Sequence, residues 1–157
     1  MASYTKEDYI TLIEKNYFAS VSSANIEKIL ECFSDDCLVT IRHGDNPLRL
    51  FRKNPENDEK PLVDFYQHLC GNFDAWFGDF GHYIDAENAK CASTFTVKLN
   101  PKSDSSYYPE GLQTLHNCNF FQYSDARITE MTIYYSNVEA GQKSSQALKG
   151  ATGYPKP

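Results

Sequence analysis

Residues 112–136 read LQTLHNCNFFQYSDARITEMTIYYS, and this stretch decides the fold. Two runs rich in Leu, Thr, Phe, Ile and Tyr, Leu112–Tyr123 and Ile128–Ser136, flank Ser124-Asp125-Ala126, which reads as a tight hairpin turn. Side chains two apart in a strand share a face. Here bulky apolar residues stand on both parities, Phe120 beside Phe121 and Tyr134 beside Tyr135. A sheet with one face in water alternates apolar with polar, so both faces of this one call for cover. The preceding stretch repeats the pattern. Ala75–Asp85 and Lys90–Leu99 read as strands around the turn Asp85-Ala86-Glu87-Asn88, with Trp76 beside Phe77. Four such strands in succession predict an antiparallel meander. Runs of about ten residues exceed the usual five or six, and long strands in a twisted sheet curl.

The residues before this meander predict helices. Thr5 to Ser20 opens on a capping box, Thr5 with Asp8, and places Tyr9, Leu12, Ile13, Asn16, Tyr17 and Ser20 at helical spacing. Asn25 caps a second helix over about Ile26–Phe33. Ser34-Asp35-Asp36 reads as a turn, Cys37–His43 as a strand and Leu48–Phe51 as a short return strand. Pro61 suits the first turn of a third helix, about Pro61–Cys70, with Leu62, Phe65, Tyr66 and Leu69 inward. The expectation is one α+β domain over residues 1–140, helices first and a strongly curved antiparallel sheet after. Residues 141–157, rich in Gly, Ser, Ala and Lys, read as a flexible tail.

Composition narrows the function. Aromatic residues make up 14% of the 157, with 11 Tyr and 10 Phe against 2 Met, which suits a pocket wall or an interface more than a dry core. Net charge is −6 and the basic residues are scattered, so no stripe exists to track phosphates and nucleic acid is not an expected partner. No run approaches ~18 apolar residues, so no membrane span is expected. Five cysteines with no CxxC match no zinc framework, no HxH or HxxxH occurs, and free thiols in a cytosolic protein are the simplest account. The N-terminus MASYTKEDYI carries neither a basic region nor an apolar run, and no signal peptide is expected.

Three stretches, NIEKILECFSDDCLVTIRHG (25–44), DAENAKCASTFTVKL (85–99) and NFFQYSDARITEMTIYYSNVE (119–139), resemble the nuclear transport factor 2-like superfamily. That group includes ketosteroid isomerase, scytalone dehydratase and the SnoaL polyketide cyclases. The resemblance implies an α+β barrel in which a cone-shaped sheet wraps around three N-terminal helices. It also implies a homodimer through the outer sheet face and a closed pocket for a small apolar organic ligand. Pockets of this kind hold several hundred Å³. The implied chemistry is cofactor-free and metal-free proton transfer (isomerase, dehydratase or other lyase, or cyclase) on an apolar carbonyl or hydroxyl metabolite. The alternative is a non-catalytic ligand-binding or dimerisation module on the same fold.

By resemblance Tyr17 and Asn119 take the oxyanion-holding places, and Ile41, Trp76, Phe95, Val97, Met131, Ile133 and Tyr135 line the cone. Ile41 stands where the isomerase carries its basic carboxylate, which argues against steroid isomerisation. The next side chain on that face is His43. A histidine titrates near neutrality, so His43 is the expected base, with Tyr17 and Asn119 holding the oxygen. The other reading has His43 at the rim beside Gly44-Asp45, capping the turn. His82 and His116 lie mid-strand, and their faces are left open by the sequence; each reads as a structural histidine.

Overall fold

The computed structural model describes residues 3–137. The tail expected over 141–157 lies outside them.

The N-terminal helix forms where its capping box predicts. Thr5 Oγ1 accepts from the Asp8 amide at 3.1 Å, and the Asp8 carboxylate accepts from the Thr5 amide at 2.8 Å. The helix does not run as a uniform α-helix to Ser20. It is α-helical over α1 (Lys6–Thr11), widens to a π-helix over Leu12–Phe18 and closes in α2 (Ala19–Ser22). The wider turn brings two successive residues, Tyr17 and Phe18, into the core at 3% exposure each. Asn25 caps α3 (Ile26–Glu31), accepting from the Lys28 amide. Phe33 does not end that helix but opens strand β1 (Phe33–His43). Ser34–Asp36 is therefore strand and not turn. Its register against the neighbouring strand slips between Phe33 and Leu38, a bulge that keeps Phe33 in the core while Asp35 and Asp36 stay in water.

Strands β2 (Arg49–Arg52) and β3 (Lys60–Pro61) lead into α4 (Leu62–Asn72), for which Pro61 serves as N-cap. Then come β4 (Phe73–Asp85), β5 (Lys90–Pro101), β6 (Gln113–Ser124) and β7 (Arg127–Tyr135). The four form the predicted antiparallel meander. β1 returns to pair parallel with β7, giving one curved sheet in the order β3-β2-β1-β7-β6-β5-β4. The last hairpin turns on two residues, Asp125 (φ 49°) and Ala126 (φ 64°), both left-handed as a two-residue primed turn requires.

The helices fill the hollow of the sheet. Ile13, Tyr17 and Phe18 from the first helix, Ile29 from α3, and Leu62 and Tyr66 from α4 pack on Cys37, Val39, Ile41, Phe95, Val97, Phe121, Met131 and Ile133. The outer face carries Trp76, Tyr83, Phe120 and Tyr134, all exposed.

Candidate active site

Ladder register places five residues in one row across the concave face: Ile41 opposite Ile133, Ile133 opposite Asn119, Asn119 opposite Ser93, and Ser93 opposite His82. The row is apolar at the β1 end and polar at the β4 end. Ser93 is fully buried and Asn119 is 1% exposed.

At the polar end Glu14 completes a chain. Its carboxylate oxygen lies 2.5 Å from His82 Nε2, and His82 Nδ1 lies 2.8 Å from Ser93 Oγ. A carboxylate only accepts, so Nε2 carries a proton toward Glu14. When the ring carries only that proton, Nδ1 can accept from the Ser93 hydroxyl. The Phe80 ring stacks on His82 at 5.4 Å and 14°.

At the centre of the cone a cavity of about 30 Å³ is lined by Tyr17, Tyr66, Tyr135, Asn117 and Asn119 among apolar side chains that include Phe18 and Phe95. The phenolic oxygens of Tyr17 and Tyr66 are 2.6 Å apart. Burial pushes the pKa of Tyr17 far above the ordinary value, with the Tyr66 bond partly offsetting it. Burial and the nearby Tyr17 phenol likewise raise Tyr66 well above its ordinary value. Burial lifts Tyr135 to about 12, with Arg49 pulling the other way. All three phenols therefore stay protonated and can donate. The Asn119 amide nitrogen finds only the Met131 sulfur at 3.7 Å, and its carboxamide oxygen, though buried, has no partner.

Of the residues expected at the site, Tyr17, Asn119, Phe95, Val97, Ile133 and Tyr135 meet around this cavity. Ile41 and Met131 share the concave face, buried but outside the cavity wall. Trp76 does not line it. The indole lies on the outer face, 46% exposed, with Lys98 Nζ 5.1 Å from its centroid. Nor does His43 converge with Tyr17 and Asn119. It ends β1 with its ring against Tyr135 at 5.3 Å and a hydrogen bond to the Ser136 backbone. The cavity is also far smaller than the expected several hundred Å³, because Phe18, Phe77, Phe80 and Phe95 fill the hollow with mutual ring contacts of 4.6–6.1 Å. Of the two open histidines, His82 faces inward and His116 lies on the outer face. Glu14 and Ser93 were not singled out in the sequence. The strand parity that Ser93 shares with Phe95 and Val97 is a signal that could have found it.

Among the described residues no group of three His, Cys, Asp or Glu side chains could hold a metal ion, and no helix is long and apolar enough to cross a membrane.

No family model matches the sequence, and no curated protein does. Solved structures do match. PrhC from Penicillium brasilianum is similar with a TM-score of 0.66 at 16% identity, over 85% of this chain and 83% of that one. SalBIII, an epoxide hydrolase/cyclase-like enzyme of pyran ring formation in the polyether salinomycin, gives 0.62 at 10% identity, over 83% and 93%. A protein of unknown function with a cystatin-like fold from Methylobium petroleophilum gives 0.63 at 14% identity, over 99% of both chains. At such identities the likeness carries the fold and nothing finer. The chain shares with these structures an α+β fold in which a curved sheet wraps around N-terminal helices.

Proposed function

We propose that this protein is a cofactor-free enzyme that moves a proton on a small, neutral, largely apolar carbonyl or hydroxyl compound. It would act as an isomerase, lyase or cyclase. The observation that carries the reading is the chain Glu14–His82–Ser93, which ends beside Asn119 in one row of the concave face. In this scheme His82, and not His43, is the base. It takes the substrate proton through the Ser93 hydroxyl, and Glu14 stabilises the imidazolium that forms. The developing oxyanion accepts from the Tyr17–Tyr66 phenol pair, which has one O–H left after its internal bond. Asn119 holds a second oxygen of the substrate. Either end of its carboxamide can serve, because turning the group over exchanges N–H for oxygen. Phe77 and Phe80 are only part-buried, and a substrate would enter by displacing them outward.

The fold's company of a cyclase-like enzyme supports this class without naming a substrate. A second reading, a ligand-binding or dimerising module, is favoured by the size of the cavity, about 30 Å³. One experiment separates the two. The protein is incubated in D2O with a panel of neutral ketones and β-hydroxy ketones, and deuterium uptake is followed by mass spectrometry. The enzyme reading expects uptake that falls roughly 10²-fold or more in His82→Gln and Tyr17→Phe. Absence of uptake above the protein-free background across the panel favours the module, and full uptake in His82→Gln removes His82 as the base.

A further inference from the structure

A second, polar groove lies on the other side of the first helix. Its walls come from the π-helix (Leu12, Lys15, Asn16), from Ser20, from α3 (Lys28, Glu31, Cys32) and from the last hairpin (Tyr123, Asp125, Arg127, Ile128), and its volume is about 420 Å³. None of its lining residues takes part in the proton-transfer chain. Two features set it apart from an ordinary surface crevice.

The first is charge. Lys15, Lys28 and Arg127 line the groove, and none of them forms an ion pair within 4 Å among the described residues. The two acids in the wall do not neutralise them. Asp125 accepts from the Tyr4 hydroxyl, and Glu31 pairs with no cation. Three cations against two carboxylates leave a positive spot on a protein of net charge −6. The second feature is Tyr123. It is 4% exposed, it lines the groove, and its buried hydroxyl has no hydrogen-bond partner. Its ring is fixed between Tyr9, at 5.4 Å, and Phe121, at 6.0 Å. A buried O–H left unpaired is costly, and it is a donor waiting for an acceptor. Burial raises the Tyr123 phenol far above its ordinary pKa, so it stays a donor across the working range of pH.

We propose that this groove binds a small organic oxyanion, its head group taking the Tyr123 O–H and the Lys15, Lys28 and Arg127 charges, its apolar body lying on Leu12. A carboxylate and a phosphate monoester share this chemistry. An inner donor plus flexible cations at the rim suits either head.

Benzoate and phenyl phosphate are the probes, because they differ only in the head group. Each is titrated into the full-length protein at constant ionic strength, and backbone amide shifts at Lys15, Lys28 and Arg127 are followed by NMR. Saturable shifts confined to the groove are expected for at least one probe, and the tighter of the two identifies the head group. Tyr123→Phe keeps the ring and the packing, and is expected to weaken binding roughly tenfold by removing a hydrogen bond to a charged acceptor. Arg127→Gln is expected to weaken it similarly. His82→Gln, which disables the proposed proton transfer, leaves this binding unchanged, so the two ideas fail separately. Shifts that stay linear in probe, that chloride reproduces, or that saturate equally in Tyr123→Phe and Arg127→Gln overturn the proposal.

Discussion

Glu14 and His82 are 68 positions apart in the chain, yet a carboxylate oxygen of one lies 2.5 Å from Nε2 of the other. The His82 side chain is 8% exposed and that of Glu14 37%, so the carboxylate keeps its contact with water while the ring is enclosed. The pair links a solvent-facing carboxylate to Ser93 through two hydrogen bonds. It also fixes the tautomer, because only a protonated Nε2 can donate to Glu14. Glu14→Leu is expected to release this choice. The ring nitrogen shifts of His82 in 15N NMR then move from a single Nε2–H form to a mixture, and stability falls by about 1 kcal/mol. Unchanged ring shifts would assign the tautomer to Ser93 alone.

How far the sequence reveals this site depends on regular periodicity. Asn119 was legible because it sits on a strand whose alternation holds around it, Tyr17 because the family resemblance marks its place and the wider π-turn still leaves it in the core, and the last hairpin because Asp125-Ala126 is turn chemistry between two apolar runs. The residues of the β4 edge were not. Trp76 and His82 have the same parity, so a regular strand would point both to one face. Between Gly78 and Gly81 the register against β5 slips, with Asp79 at φ 54°, and the extra residue exchanges the faces. Trp76 therefore turns out and His82 turns in. Glu14 was hidden for a related reason: the π-helix over Leu12–Phe18 resets the angular positions that a 3.6-residue period predicts. The small cavity was not legible either, since Phe95 or Phe77 has one spelling whether it lines a hollow or fills it.

The Tyr17–Tyr66 bond lies wholly inside the protein. Replacing one phenol by Phe strands the other hydroxyl in an apolar setting, at a cost of about 1–3 kcal/mol. Tyr17→Phe/Tyr66→Phe together strand neither. The double variant is expected to lose less stability in urea unfolding than the two singles summed. Simple additivity would show that each hydroxyl finds another partner in the single variants.

His43 carries a pH signature. Burial, then the Arg49 charge, hold its pKa below the ordinary 6.5. The unfolded chain therefore takes up this proton more readily than the folded one. The stability contributed by neutral His43 is present above about pH 6.5 and lost as pH falls through the depressed folded value. His43→Phe is expected to flatten the decline of Tm between about pH 7.5 and 5 relative to the parent protein. Equal slopes would place the acid sensitivity in other groups.

The outer face of the sheet is the surface expected to pair two copies. Phe120 and Tyr134 are 51% and 43% exposed with their rings 5.8 Å apart, and Trp76 and Tyr83 extend the patch. Phe120 borders a groove of about 490 Å³ and Tyr134 another of about 430 Å³ on this face. A ridge beside a groove is self-complementary under a two-fold axis. Light scattering is expected to give a dimer, and Phe120→Lys a folded monomer by the same measurement with unchanged circular dichroism. A parent protein that is monomeric at high micromolar concentration removes this pairing.

Asn119 separates a residue kept for folding from one kept for function. It is 1% exposed, its carboxamide oxygen has no partner, and its nitrogen reaches only a thioether. Burying an amide on these terms opposes folding, whereas leucine, of similar size, carries no polar atoms to desolvate. Asn119→Leu is therefore expected to unfold at equal or higher denaturant concentration, by up to about 2 kcal/mol. The same variant should lose deuterium uptake on any substrate the parent accepts, because nothing then holds the second oxygen. A variant destabilised by several kcal/mol would mean that the amide is satisfied in solution, by water in the cavity beside Tyr17, and belongs to the architecture and not to the chemistry.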